Sequence, residues 1–190
     1  MTGLTDSGTL VRLAYQGLRS LGVDADEVLR RSGFDPKKLY QENLRTQFSA
    51  QPHFWRAAVT LSGDSCIGLH LGEKMPSYKG QILEYLLLSS PTFGDGLKRV
   101  INYQRLISDA LHVQLSESPQ PCLTSYFSSH QYATSHLAEV MVLGLIKVFQ
   151  SVTDGTFKAE RVVFNHSPNT NIAEYERIFK CPVEFNAESF

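Results

Sequence analysis

Leu111-His112-Val113-Gln114-Leu115-Ser116, followed by Leu123-Thr124-Ser125-Tyr126-Phe127, is the stretch that decides the fold. Leu111, Val113 and Leu115 alternate with polar residues, and Leu123, Ser125 and Phe127 continue the period of two. That period sends successive side chains to opposite faces of a strand. Pro119-Gln120-Pro121 supplies the turn between the runs, so the segment reads as a β-hairpin.

Upstream of the hairpin the period is helical. Leu10, Leu13, Ala14, Leu18 and Leu21 share one stripe that ends at Gly22. Asp24 and Glu27 form a capping box that opens Ala25 to Arg31, with Gly33 as its stop, and Asp35-Pro36 begins another short turn. Ser49, Pro52, Phe54, Trp55, Ala58, Val59 and Leu61 outline a third helix stopped at Gly63. Ser65 to Gly72 alternates like a strand, but its place among helices assigns it to a helix. Gln81 to Ser89 is nearly all apolar and is expected to be enclosed on most sides. Thr92 and Asp95 cap a long helix carrying Leu97, Val100, Ile101, Leu106 and Ile107.

Downstream, Ser135 to Val152 is an almost continuously apolar helix halted at Asp154-Gly155 and expected to lie against a sheet. Arg161 to Asn165 reads as a strand, Asn171 to Phe179 as a helix and Pro182 to Phe185 as a last strand. The fold class is therefore α+β: a helical N-terminal half packed with a small mixed β-sheet, made of the hairpin and two C-terminal strands, under covering helices. No repeat or Gly/Ser linker divides the chain, so residues 1–190 are expected to form a single domain.

The composition narrows the function. The net charge is −1, with 18 Lys plus Arg against 19 Asp plus Glu, so the chain lacks the general attraction that nucleic-acid binders draw from an excess of cations. Cys66, Cys122 and Cys181 cannot all pair, which points to a reducing, cytoplasmic compartment. The N-terminus has no basic cluster followed by an apolar run, and neither secretion nor membrane spanning is expected.

Cys66 and His70 stand at i, i+4 and are the strongest pair for thiolate catalysis, yet no third group or oxyanion site accompanies them; a small buried thiol is the plainer reading. His53, His70, His112, His130, His136 and His166 lack metal-ligand spacing, so no metal or cofactor is expected. Glycine-rich nucleotide loops and the Gly-x-Ser-x-Gly elbow are absent. Aromatic residues remain. Tyr85, Tyr103 and Tyr126, with Arg105 for a carboxylate and His130 near a strand end, are the candidate ligand-binding residues, alongside Phe127 and Tyr132.

Two stretches then carry a resemblance. The first comprises Ser65-Cys66-Ile67-Gly68-Leu69-His70-Leu71-Gly72, Lys79-Gly80-Gln81, Tyr85, Leu88-Ser89-Ser90-Pro91-Thr92, Leu97 and Asn102 to Ser108. The second comprises Ser167-Pro168, Tyr175 and Phe179-Lys180-Cys181-Pro182-Val183-Glu184-Phe185. Together they resemble the N-terminal, arabinose-binding-type regulatory domain of AraC-type bacterial transcription regulators. The resemblance implies a domain that senses a small-molecule effector and forms a homodimer, with DNA reached only through a C-terminal helix-turn-helix domain that this chain does not contain. A stop soon after the last strand fits a sensor half, and the stripe from Leu10 to Leu21 is a candidate dimer surface. A Cys/His-type enzyme and a ligand-free protein-interaction module are the alternatives.

Overall fold

A computed structural model describes residues 3–77 and 80–187. Lys79, part of the resemblance above, lies outside these residues. The chain begins with strand β1 (Thr5–Ser7), which runs directly into helix α1 (Gly8–Ser20), and continues through α2 (Ala25–Arg31) to β2 (Arg45–Gln47). Helices α3 (Gln51–Ser62), α4 (Ile67–Lys74), α5 (Ile82–Leu88) and α6 (Phe93–Asn102) complete the N-terminal half. The hairpin β3 (Leu111–Ser116) and β4 (Cys122–Phe127) follows, then α7 (Ser135–Val152), β5 (Val162–Val163), α8 (Ile172–Phe179) and β6 (Val183–Glu184).

Local chemistry sets the helix boundaries. Asp24 accepts from the Glu27 N–H at 3.0 Å, and Thr92 accepts from the Asp95 N–H at 3.1 Å, so each N-cap is made, while the Glu27 carboxylate turns to Arg30 and Arg31 instead of closing the box. Gly63 ends α3 with φ 69°, a left-handed conformation that a side chain would strain. The long helix read from Thr92 stops at Asn102, and a separate 3₁₀ turn at Gln104–Leu106 replaces its last part. Ile67–Lys74 is helical, so the ambiguous Ser65 segment resolves as assigned.

The α+β class holds, but the strands do not merge into one mixed sheet. They form three two-stranded sheets: β1–β2 antiparallel, β3–β4 antiparallel and β5–β6 parallel. The hairpin pairs Leu111 with Phe127 and Ser116 with Cys122, the register its alternation requires. The sheet β1–β2 has no counterpart in the sequence reading, because three polar or mixed residues per strand carry no period.

Three clusters of buried apolar side chains hold these pieces. One joins α1 to α4 around Leu18, Val28, Leu29 and Trp55; a second joins α5, α6 and α7; a third seats α7 against α8, β5 and β6. Each fully buried Leu or Val contributes about 1.5–3 kcal/mol. Contrary to the expectation of a sheet partner, α7 packs chiefly on α4. Gly72 makes this possible, since a Cβ there would lie 2.5 Å from a Leu143 methyl carbon.

By length and composition α7 could cross a membrane. Its one lysine, however, is held by protein partners. The Lys147 ammonium donates to the Glu73 and Met75 carbonyls, both at 2.7 Å, at the C-terminal end of α4 where such carbonyls lack helical donors. Burial pushes the pKa of Lys147 below that of an ordinary lysine.

Two surface expectations change. Leu13 and Leu18 of the α1 stripe are buried, so this face serves the core and is not free to bind a second copy. Helix α5 is not enclosed: Leu83 and Leu87 turn inward, whereas Ile82, Tyr85 and Leu88 are exposed, because α5 packs through one side on α6 and α7.

Candidate functional site

A cavity of about 330 Å³ lies among β1, α1, β2, α3, α6, the hairpin and α7. Leu10, Ala14, Trp55, Val140, Leu145 and Phe149 illustrate its apolar walls. Phe127 reaches it from β4 and stacks on Phe48, with ring centroids 5.5 Å apart. A volume of this size falls within the ordinary range for small-molecule sites, about 300–1,000 Å³.

One buried carboxyl interrupts the apolar lining. Strand β1 lies between β2 and the segment before β3: Asp6 pairs with Thr46 and bridges to Ser108, the Ser7 N–H donates to the Ile107 carbonyl, and the Asp109 N–H donates to the Thr5 carbonyl. Alternation along three residues turns Asp6 inward, where it is 3% exposed. Ser108 Oγ donates to Asp6 Oδ1 at 2.6 Å, and Gln51 Nε2 donates to Asp6 Oδ2 at 2.9 Å. Trp55 Nε1 donates in turn to Gln51 Oε1 at 3.0 Å. Burial raises the Asp6 pKa above the usual carboxylate range, against the lowering influence of Ser108, Gln51 and Arg45. Gln104 completes the polar corner, its Oε1 accepting from the Val113 N–H at 2.6 Å.

None of the five sequence-derived candidates lines this cavity. Tyr85, Tyr103 and Tyr126 are exposed by 60%, 52% and 44%, and Arg105 and His130 also face outward. Tyr126 stacks on His112 at a centroid distance of 4.9 Å, and Arg105 lies 3.8 Å from Asp109. The physical reason is strand parity and helix phase: Phe127, next to Tyr126, takes the inward position. Asp6, Gln51, Gln104 and Ser108 were missed because nothing local to a short polar stretch announces burial.

The Cys66–His70 pair does not form a thiol–base unit. His70 Nδ1 lies 2.6 Å from Asp64 and Nε2 lies 3.2 Å from Glu174, while Cys66 Sγ contacts the Asn169 carbonyl at 3.5 Å. Burial alone would lower the His70 pKa, but the two carboxylates outweigh it and raise it. Among the described residues no three His, Cys, Asp or Glu side chains converge as a metal site.

The family described as the arabinose-binding domain of AraC transcription regulators, N-terminal, matches residues 22–189. The chain belongs to that family. Its class is that of an effector-sensing regulatory domain, which implies a small-molecule partner and not a known enzyme family. No curated protein matches the chain. The family match begins after α1, yet Asp6, Leu10 and Ala14 line the cavity. The cavity in this AraC-type domain is thus partly lined by residues that precede the family's matched segment.

Proposed function

We propose that this chain is the single effector-binding and dimerisation domain of a cytoplasmic AraC-type transcription regulator, and that its effector occupies the cavity around Asp6. DNA is reached only through a C-terminal DNA-binding domain outside this chain. The cavity carries the reading: it is the apolar space with a few converging polar groups that small-molecule recognition requires. The net charge of −1 supports assigning DNA contact to another domain.

A regulator responds when the effector binds one arrangement of the sensor more tightly than another. The walls of this cavity come from segments far apart in the chain, from β1 near the N-terminus to α7. A ligand held between them therefore biases how these elements sit, and with them the attached DNA-binding units in a homodimer.

A thermal-shift screen of metabolites on the 190-residue chain tests the reading. At least one compound should raise Tm in the parent and fail to do so in Ala14→Phe, whose new ring projects into the cavity. Circular dichroism verifies that the variant is folded. A stabilising compound that acts equally on Ala14→Phe would overturn the cavity assignment. Sedimentation of the chain tests the homodimer, and a monomer at high concentration would oppose it.

A further inference from the structure

Resting on the reading of the cavity as the effector site, we propose that the effector is an uncharged, mainly hydrocarbon molecule carrying one hydroxyl, which sits at the corner formed by Asp6, Gln51 and Gln104, and that it is not a sugar. Polar lining residues gather at the β1–β2 end, with Gln51, Gln104 and Ser108 beside them, while α1, α6 and α7 present hydrocarbon. A pentose bears a hydroxyl on most of its carbons, and each one facing these walls would lose its water partners without replacement.

The hydrogen-bond inventory of the corner defines what it still accepts. Ser108 Oγ is engaged on both sides, donating to Asp6 and accepting from the Ala110 and Leu111 N–H groups. Gln51 Nε2 has a second N–H beyond the one given to Asp6, and Gln104 Nε2 has no partner among the described residues. Each Asp6 oxygen accepts one side-chain hydrogen bond and keeps a further lone pair. A hydroxyl satisfies both requirements, donating to Asp6 and accepting from an amide N–H.

Charge excludes the other amphiphiles. Arg45, the cation in the lining, gives its Nε and one terminal nitrogen to Thr5 and Asp109, so its charge is already shared with the Asp109 carboxylate, and a ligand carboxylate at the corner would lie beside Asp6 as well. An ammonium would pair with Asp6 but must shed its hydration among apolar walls, a cost that pairing repays only when every remaining N–H finds an acceptor, and the hydrocarbon walls offer none. At about 330 Å³ the space lies at the small end of the ordinary range for small-molecule sites, which suits a skeleton of about ten heavy atoms.

Titration calorimetry of the 190-residue chain with 1-nonanol, nonanoate, nonylammonium and L-arabinose tests this class. 1-Nonanol should bind at least about tenfold more tightly than the other three, a margin of one well-made hydrogen bond. Asp6→Asn and Gln104→Met should each weaken 1-nonanol, and Asp6→Asn should narrow the gap to nonanoate. If 1-nonanol binds but ignores both substitutions, the hydroxyl seat is wrong. If another probe binds as tightly and Ala14→Phe abolishes its binding, the class is wrong while the cavity remains the effector site. Silence from all four probes also overturns the class, and the cavity assignment then turns on the metabolite screen alone.

Discussion

Tyr175 Oη donates a hydrogen bond of 2.5 Å to Glu139 Oε1, and both residues are 0% exposed. The same carboxyl oxygen accepts from Asn169 Nδ2 at 2.9 Å, and the Asn169 N–H donates back to Tyr175 Oη at 3.0 Å. This triangle ties α7 to α8 and to the loop before it. Burial, reinforced by the Glu139 carboxyl, pushes the Tyr175 hydroxyl far above an ordinary tyrosine pKa, so it remains a donor throughout the physiological range. Tyr175→Phe keeps the ring and removes the donor, leaving a buried carboxyl short of one partner. Denaturant unfolding should show a loss of about 1–3 kcal/mol. An unchanged midpoint would mean that Asn169 alone satisfies Glu139.

The approach of α4 to α7 depends on Gly68. A Cβ at this position would lie 2.5 Å from His136 Cα and 2.7 Å from Glu139 Oε2. The first obstacle is backbone and cannot rotate away, so the helices must separate. Gly68→Ala should lower stability by about 1–3 kcal/mol despite the better helix propensity of alanine. Thermal unfolding would reveal it, and a higher Tm would show that the contact is looser than described.

His70 makes stability depend on pH. Its folded pKa is raised above the ordinary 6.5, since Asp64 and Glu174 outweigh burial. A raised pKa means that the clasp between α4 and α8 is fully present below the unfolded value and is lost as pH rises through the folded one. The Tm difference between the parent and His70→Gln should therefore be largest near pH 6 and shrink toward pH 9. Glu174 behaves in the opposite sense: Arg177 and then His70 hold its pKa down to about 2. Its contribution persists above about pH 4.5 and fades on acidification toward pH 2. Because His70 and Glu174 are partly exposed, both effects should diminish in high salt.

Thiol chemistry offers a direct check on the buried cysteines. Cys122 is exposed on β4, whereas Cys66 and Cys181 are buried, and burial raises the Cys181 thiol pKa. A disulfide reagent at pH 8 should modify one thiol per chain quickly and the other two only as fast as the fold opens. Cys122→Ser should remove the fast phase. Rapid modification of Cys66 in that variant would revive the reactive-thiol reading.

Secondary structure was legible wherever a signal lies within a few residues. The capping pairs Asp24/Glu27 and Thr92/Asp95, the alternation of the hairpin and the bounds of α7 all express local hydrogen bonding or side-chain period. The same signals misled where a partner mattered. The apolar run of α5 promised full enclosure, but its neighbours cover one side, and the candidates Tyr85 and Tyr103 face solvent.

The amino-acid sequence by itself determined the α+β class and the family, because period, capping and punctuation motifs are read along the chain without reference to distant residues. Only the tertiary structure decided where a ligand can sit. Asp6 becomes a cavity residue through contacts to Gln51 and Ser108, 45 and 102 positions away, and no local pattern encodes so distant an encounter.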